Sequence, residues 1–263
     1  MGTPLRVVVF GASGRVGQTV VGAVKGAPDM ELAGGVNRMD RDVDFPWFTD
    51  VANAIRETQP DVAVDFTVAD AAADNALMAI AAGVSPVIGT TGMSPDQIEA
   101  IRAAAERDGV GAFIAPNFAI GAVLMMAMAQ LAAPHLDHVE VIELHHDQKI
   151  DAPSGTAAHT ADLIAQARDG RSAIDTPTER FTLDGVRGGV NHGVRVHSVR
   201  LPGFVAHQEV IFGALGQTLT IRHDSTSRDS FMPGVLLAAR RVRDLPGLVI
   251  GLEHLLFEES DDA

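Results

Sequence analysis

The sequence predicts an α/β protein of two domains, a doubly wound domain built on a parallel sheet and an α+β domain with an open mixed sheet. Three observations predict this fold class. Short apolar strands alternate with helical patterns over residues 5–115, as in parallel sheets. A glycine-rich turn at residues 11–17 follows the first strand directly. After His138, strand-like runs follow one another with one clear helix between them.

Composition is typical of a soluble globular protein and argues against several partner classes. Of 263 residues, 46% are hydrophobic and 21% charged, and the chain is long enough for two modest domains. The net charge of −14 disfavours binding to nucleic acid or acidic membranes. The absence of cysteine excludes disulfides and Cys-ligated metals. The most apolar run, residues 118–133, is too short to cross a bilayer, and no signal peptide is evident, so we expect a cytoplasmic protein.

The first strand and the turn after it predict a dinucleotide-binding site of the Rossmann type. Residues 5–10 are apolar and β-rich, and a helical pattern follows the turn. Glycines at this spacing permit a tight turn, close approach of the backbone to a pyrophosphate and close packing of helix on strand. An ordinary glycine-rich turn is the alternative, and the flanking strand and helix favour the nucleotide. The residues predicted to bind the cofactor here are Gly11, Ala12, Ser13, Gly14, Arg15, Val16 and Gly17.

The end of the second predicted strand bears on which cofactor is used. An NAD site usually places Asp or Glu there to accept from the ribose 2′-hydroxyl. Here residues 31–36 are followed by Asn37 and Arg38, and the first acidic residue is Asp40. Arg38 and Arg15 can hold a 2′-phosphate through their guanidinium groups. We therefore expect NADPH or NADH, with a preference for NADPH.

Two polar loops at later strand ends extend this prediction, because ligands of doubly wound sheets bind at the carboxyl ends of strands. One loop is Gly89, Thr90 and Thr91, and the other runs over residues 115–118. Turn chemistry alone is the alternative for each. The strands predicted between and around them are 62–66, 86–88 and 112–115, and the helices are 71–82 and 95–108.

The second domain is predicted to begin after an apolar helix at residues 118–133. Its strands are predicted at 139–144, 194–200, 206–212 and 218–224, with one helix at 154–168. A connector at 169–193 contains Arg187, which we interpret as structural or linking subunits, and a final helix is predicted at 227–242. The residues predicted to face other subunits are Val194, Val196, Val199, Val210 and Phe212.

Residues 143–157 combine a strand end, His145, His146 and Lys149 with a helix start at Ser154. Ser154 is a good N-cap, and free amides at a helix start attract anions. This combination suits a small molecule that carries carboxylates and needs a proton. Surface histidines are the usual alternative. A metal site with Asp147 or Asp151 is disfavoured, because adjacent histidines on a strand point to opposite faces.

This segment resembles the signature of bacterial 4-hydroxy-tetrahydrodipicolinate reductases, also called dihydrodipicolinate reductases, and Asp65-Phe66-Thr67 and residues 201–203 also match that family. The resemblance implies NAD(P)H-dependent reduction of 4-hydroxy-tetrahydrodipicolinate to tetrahydrodipicolinate with loss of water, in diaminopimelate and lysine biosynthesis. It implies a nucleotide domain at 1–118 and 228–263, a substrate and oligomerisation domain at 119–227, and a homotetramer formed through the second sheet.

The resemblance also implies a role for each matching residue. His145 is expected to be the general acid, and Lys149 a second proton donor that also neutralises a substrate carboxylate. His146, Gly155 and Thr156 are expected to bind the dicarboxylate substrate. The residues expected to line the nicotinamide are Gly89, Thr90, Thr91, Ala115, Pro116, Asn117 and Phe118.

Two other functions remain open from the residues. Another dehydrogenase of amino-acid metabolism could share the nucleotide domain and act on a keto or imino acid. A regulator that binds NAD(P) without turnover is the second, and it gives no reason for His145 beside Lys149. A hydrolase triad of Ser225 with neighbouring histidines is disfavoured, because Ser225 lacks the glycine-flanked nucleophile turn.

Overall fold

The structure is a computed structural model that describes residues 2–169 and 180–257. It divides into two compact units, one reaching Ile120 and resuming at Arg228, the other within Gly121–Ser227. The chain therefore leaves the first unit once and returns to it. Part of the predicted connector at 169–193 lies outside the described residues. None of the helices described combines the length and apolar character needed to cross a lipid bilayer.

The first unit is built on a seven-stranded sheet in which every described pairing is parallel. The strands are β1 (Leu5–Phe10), β2 (Met30–Val36), β3 (Trp47–Phe48), β4 (Val62–Asp65), β5 (Ser85–Ile88), β6 (Ala112–Ile114) and β12 (Leu248–Ile250). Their order is β12-β6-β5-β4-β1-β2-β3. Because β1 lies mid-sheet with β2 on one side and β4 on the other, the strand order reverses beside it. Ligands of open α/β sheets bind at such reversals.

Helices connect these strands, and local sequence signals set their ends. The helices are α1 (Arg15–Gly26), α2 (Val51–Thr58), α3 (Ala69–Ala81), α4 (Pro95–Asp108), α7 (Met232–Arg241) and α8 (Glu253–Leu256), with 3-10 turns at Arg228–Phe231 and Val242–Asp244. Ser94 and Gln97 form a reciprocal capping box at the start of α4, and Gly109 ends it in a left-handed conformation. Val7, Val8 and Val9 of β1 are fully buried, as expected for a strand covered on both faces.

The second unit is a five-stranded mixed sheet with a helix on one face. Its elements are α5 (Ile120–Ala132), β7 (His138–His145), α6 (Gly155–Ala167), β8 (Gly189–Asn191), β9 (Val194–Arg200), β10 (Ala206–Ala214) and β11 (Gln217–Ser225). The order is β11-β10-β7-β9-β8, with β7 and β9 parallel and the other pairs antiparallel. Buried Gln208 of β10 donates to Thr160 of α6 at 2.7 Å, which fixes the helix against the sheet.

The predicted subunit-facing surface is mostly wrong. Val194, Val196, Val210 and Phe212 are between 0% and 6% exposed, because they lie on the sheet face that this unit's own core covers. Val199 lies on the other face and is half-buried. Alternation correctly identifies which residues share a face, but a strand pattern does not say which face the chain itself covers.

The predicted fold class is confirmed, with a doubly wound parallel sheet and a second, mixed sheet. The helix predicted at 154–168 is α6, capped by Ser154, whose side chain accepts from the Ala157 amide at 3.2 Å. The final helix predicted at 227–242 begins instead as a 3-10 turn, and the α-helix starts at Met232 beside a proline. Strands β3, β8 and β12 were not predicted, since two or three residues show no measurable period.

Candidate active site

The glycine-rich turn adopts a backbone that only small residues permit. Gly11 follows β1 with φ +76°, where an L side chain is strained. A Cβ at Gly17 would lie 2.1 Å from the Gly11 carbonyl oxygen, so α1 packs directly against the turn. Gly14 stands at the N-cap of α1, which has no side-chain cap. The helix start therefore presents amides and a positive dipole end, as a pyrophosphate requires.

Two cavities in the first unit adjoin this turn. One, of about 480 Å³, is lined by Gly11 and Gly14 together with Asn37 and Arg38 from the end of β2. The second, of about 460 Å³, has these lining residues: Gly14, Arg15, Val16, Phe66, Thr67, Val68, Ala69, Gly89, Thr90 and Thr91. The glycine turn and the loop 89–91 thus border one cavity, whereas none of residues 115–118 lines either of the two. The space and the backbone beside the turn fit a dinucleotide.

Asn37, at the end of β2, has both ends of its side chain engaged. Its amide Nδ2 donates to Ser13 Oγ, and its Oδ1 accepts from the Arg38 backbone amide at 2.7 Å. The guanidinium groups of Arg38 and Arg15 are on exposed residues that line the two cavities. This strand end therefore offers a cation, and not a carboxylate, beside the first cavity.

Asp65 organises the loops at the carboxyl ends of β4 and β5, a role that the sequence analysis missed. Its side chain is 2% exposed and accepts from the backbone amide and hydroxyl of Thr67 at 2.7 and 2.6 Å. It also accepts from Asn75 Nδ2 at 2.8 Å and from Thr90 Oγ1 at 3.3 Å. One carboxylate thus ties two cavity-lining loops and α3 together.

In the two loops predicted to line the nicotinamide, 89–91 and 115–118, aromatic packing decides which atoms are accessible. A Cβ at Gly89 would lie 2.1 Å from the Phe66 ring, so only glycine allows Phe66 its position. The Phe66 and Phe118 rings are in tilted contact, with an interplanar angle of 54° and a centroid distance of 5.7 Å. Phe118 and Ala115 are 3% and 1% exposed, so their side chains belong to the core and their backbone is what remains for a ligand.

At the end of β7, Glu143 and His145 lie on one face of the strand, and their side chains meet. Glu143 is fully buried and hydrogen bonds to His145 Nδ1. The Arg200 guanidinium, from the end of β9, donates to both Glu143 oxygens at 2.9 and 2.7 Å. The Ser154 amide, at the start of α6, donates to the same carboxylate at 3.3 Å. Glu143 and Arg200 are functional candidates that the sequence analysis did not identify.

The surroundings of Glu143 keep it ionised. Burial alone would raise the pKa of this carboxyl, but hydrogen bonds from His145, Arg200 and Ser198 outweigh burial and lower the pKa to about 2. The site therefore holds a permanent anion behind His145. Because Nδ1 of the ring is engaged by that anion, Nε2 is the ring nitrogen left for a ligand.

Lys149 lies in the loop between β7 and α6. Its ammonium contacts Asp151 at 2.8 Å, and this lowers the pKa of the Asp151 carboxyl. Arg200 also donates to the Asp151 carbonyl at 2.6 Å, so one guanidinium holds both Glu143 and the Lys149 loop. His146 is half-buried and its carbonyl accepts from the Lys149 amide at 3.2 Å.

The start of α6 completes this region. Gly155 and Thr156 are the first two residues of α6, and a Cβ at Gly155 would meet no atom within 4 Å. The space at Gly155 is therefore free of neighbouring side chains, and the positive end of the helix dipole there favours an anion.

The sequence raised two other kinds of site, a metal site and a hydrolase triad. Over residues 2–169 and 180–257, no group of three His, Asp or Glu side chains is placed to hold a metal ion. His207 pairs with Asp224 at 2.6 Å, but strand alternation directs Ser225 to the opposite face. The residues of a hydrolase triad are therefore not assembled.

Comparison with known proteins decides the family. The model described as "Dihydrodipicolinate reductase, N-terminus" matches residues 5–118, and the model described as "Dihydrodipicolinate reductase, C-terminus" matches residues 121–256. The chain belongs to the dihydrodipicolinate reductase family. Membership confirms the predicted family and the predicted enzyme class, a dinucleotide-dependent reductase acting on a small molecule.

Individual relatives agree along the whole length. The 4-hydroxy-tetrahydrodipicolinate reductase of Geobacillus thermodenitrificans is 51% identical, over 96% of this chain and 99% of the relative. That of Moorella thermoacetica is 50% identical, over 96% and 98%. A solved structure, dipicolinate-bound dihydrodipicolinate reductase from Paenisporosarcina sp. TG-14, superposes with a TM-score of 0.89 at 41% identity, covering 96% of this chain and 99% of that one.

Proposed function

We propose that this chain reduces 4-hydroxy-tetrahydrodipicolinate to tetrahydrodipicolinate in diaminopimelate and lysine biosynthesis, in the cytoplasm. One hydride and one proton enter the substrate and its hydroxyl leaves as water, while the cofactor is oxidised. The observation that carries the proposal is the Glu143–His145 pair beside the open start of α6, in a chain of this family. That arrangement supplies a proton donor and an anion site, the two features that a dicarboxylate substrate needs.

The first unit would hold the dinucleotide through its glycine turn. When bound, the reduced nicotinamide supplies the hydride. The backbone of Gly11, Ala12, Ser13, Gly14, Arg15, Val16 and Gly17 would bind the pyrophosphate at the start of α1. The loops that would line the nicotinamide consist of Gly89, Thr90, Thr91, Ala115, Pro116, Asn117 and Phe118.

NADPH is the cofactor that the end of β2 favours. The Asn37 side chain is engaged by Ser13 and by the Arg38 amide, and neither Asn37 nor Arg38 supplies the carboxylate that usually accepts from a ribose 2′-hydroxyl. Arg38 and Arg15 offer positive charge for a 2′-phosphate. NADH remains a substrate in this proposal, because the glycine turn would bind the pyrophosphate that both dinucleotides carry.

The second unit would bind the substrate. His145 donates the proton through Nε2, and Lys149 neutralises a carboxylate and serves as a second donor. His146, Gly155 and Thr156 bind the rest of the dicarboxylate, with the helix start stabilising its charge. Dipicolinate, bound in the structure of the Paenisporosarcina relative, is a planar dicarboxylate of the same kind.

We also place a homotetramer in this proposal, formed through the outer face of the second sheet. That face carries Ile142, Leu144, Val199 and Ile211, apolar side chains which a single chain leaves only half-buried. Val199 was predicted from the sequence, and the other three replace Val194, Val196, Val210 and Phe212, which are buried within the unit. Light scattering of the purified protein tests the oligomer, and a monomer at micromolar concentration would contradict it.

Oxidation of NADPH and NADH in the presence of the freshly made condensation product of pyruvate and aspartate semialdehyde tests the activity. We expect both cofactors to be consumed, NADPH with the lower KM. His145→Gln should lower kcat by roughly 10²–10³-fold, the usual contribution of one general acid. Consumption of neither cofactor by the wild-type enzyme would refute the proposed function, and an unchanged kcat in the variant would remove His145 from its role.

A further inference from the structure

We infer that Glu143 is a positioning residue, whose carboxylate, held by Arg200, fixes the His145 ring with a proton on Nδ1 so that protons are delivered from Nε2. This inference rests on the proposed function, since it concerns how the proposed acid is oriented. It adds two residues, Glu143 and Arg200, that act through His145 and do not touch the substrate.

Burial and hydrogen bonding leave Glu143 one role. The side chain is 0% exposed, so it contacts neither solvent nor a ligand that enters the site from solvent. Its contacts are with donors: Arg200, the Ser154 amide, Ser198 and His145. An ionised carboxylate only accepts hydrogen bonds. The ring nitrogen that faces it must therefore be the one that carries hydrogen.

The consequence for His145 is a fixed tautomer. With hydrogen on Nδ1, the neutral ring presents a lone pair at Nε2, and the charged ring presents Nε2–H. The ring is 14% exposed, so the accessible part of the side chain is small. A general acid needs its donor atom held in one orientation. The Glu143 carboxylate fixes that orientation through its hydrogen bond to Nδ1, on the far side of the ring from Nε2.

Arg200 fixes the carboxylate in turn. Its two terminal nitrogens contact the two oxygens of Glu143, which prevents rotation of the carboxylate. The same guanidinium donates to the Asp151 carbonyl. The orientation of the acid and the position of the Lys149 loop are thus set by one side chain.

Replacement of Glu143 by glutamine should invert the tautomer. The oxygen that accepts from Arg200 Nη2 and from the Ser154 amide must remain an oxygen, because both partners are donors. The amide nitrogen of glutamine then takes the place of the other oxygen, where it loses the bond from Arg200 Nη1 and donates to His145 Nδ1. His145 Nδ1 would have to accept, so its hydrogen would move to Nε2 in the neutral ring.

Steady-state kinetics with a double-mutant cycle tests the inference. Glu143→Gln should lower kcat by roughly 10²-fold with KM for substrate changed by less than about threefold. The double variant Glu143→Gln/His145→Gln should be no slower than His145→Gln alone, within about threefold, because both changes remove one function. Losses that multiply would overturn the inference, as would a kcat for Glu143→Gln close to that of the wild type.

Asp162→Asn is the matched control. Asp162 of α6 is another carboxylate of the same unit with a histidine partner, His192 at 3.5 Å, and it also accepts from Asn191 at 3.1 Å. Removing its charge should change kcat by less than about twofold, as for most surface substitutions. A drop in the control equal to that in Glu143→Gln would indicate a general structural effect and would refute the positioning role.

Nitrogen NMR of histidine-labelled protein tests the tautomer without turnover, in the wild-type protein itself. In the wild-type protein, with the neutral ring, the hydrogen of His145 should be found on Nδ1, and His145→Gln identifies the signal. Hydrogen on Nε2 would refute the inference even if the enzyme is fully active. Glu143→Asp, which keeps the charge but withdraws it from the ring, should fold and retain more kcat than Glu143→Gln. A wild-type enzyme without activity would refute the proposed function and leave this measurement intact.

Discussion

Asp65 in the first unit and Glu143 in the second are both buried carboxylates near strand ends, and they are held by different partners. Asp65, 2% exposed, accepts from an amide nitrogen of the backbone, two threonine hydroxyls and the Asn75 side chain. Glu143, 0% exposed, accepts from the guanidinium of Arg200 and from His145. The first set of donors is neutral, and the second contains a permanent cation and a group that gains and loses a proton.

The difference separates a carboxylate that provides geometry alone from one that also controls a proton. Hydroxyls rotate, and an amide side chain exchanges donor for acceptor by turning over. A guanidinium has five donors and no acceptor, so it cannot adapt to the loss of an anion. The Asp65 network should therefore tolerate loss of charge, and the Glu143 network should not.

The largest expected effect is on stability at Glu143. Glu143→Gln should lower the free energy of unfolding by about 3 kcal/mol, because the half-buried Arg200 guanidinium loses its fully buried counter-charge and faces a donor. Urea unfolding of the variant and the wild type measures the difference. A loss below about 1 kcal/mol, the size of one ordinary hydrogen bond, would mean that Arg200 finds another partner and that the contrast with Asp65 is false.

A pH series sharpens the same point. The folded pKa of Glu143, about 2, lies below its ordinary value of 4.5, so its ionised form contributes stability that is complete above about pH 4.5 and is lost as the pH falls towards 2. The difference in unfolding free energy between the wild type and Glu143→Gln should therefore narrow from pH 6 to pH 3, while other carboxylates cancel in the difference. If this difference in unfolding free energy stays constant or widens from pH 6 to pH 3, the pKa of Glu143 is not lowered in the folded protein.

The contrast between Asp65 and Glu143 also explains which parts of the fold and of the site could be predicted from the sequence. The parallel strands and the glycine turn were predictable, since each depends on residues close together in the chain. Glu143 lay inside the segment identified for its histidines, yet its role was missed because Arg200 is 57 residues away. One signal was available: Glu143 is in phase with the buried Val139 and Val141 of β7, an acidic residue at an inward position.

Other errors share a physical cause. Of the residues predicted for the outer face of the second sheet, only Val199 lies there, because alternation is symmetric between two faces and only packing against α6 distinguishes them. Asp65 was quoted as part of a family motif without a function of its own. Its partners Asn75 and Thr90 belong to other elements, so its network exists only once β4, α3 and β5 have assembled.

The smallest expected effect is at Asp65, and it is the most direct test of the neutral network. Asp65→Asn can keep its oxygen towards Thr67 and Thr90 and turn its amide towards Asn75, which then rotates to accept. We expect the free energy of unfolding to fall by about 1 kcal/mol, the usual net contribution of one hydrogen bond. The Kd for NADPH, measured by fluorescence titration, should stay within about threefold of the wild-type value.

Adding Asn75→Leu to Asp65→Asn removes the side chain that rotates to accept a hydrogen bond. The amide group introduced by Asp65→Asn then has no acceptor at position 75. The double variant should lose a further 1–3 kcal/mol or so, the usual cost of a buried polar group left unsatisfied. If Asp65→Asn alone already costs as much as Glu143→Gln, then charge matters equally at both sites, and adaptability of the donors is not what distinguishes them. If Asp65→Asn alone costs about 1 kcal/mol and Asn75→Leu then lowers the free energy of unfolding further, rotation of the Asn75 amide is what lets the Asp65 network tolerate loss of charge.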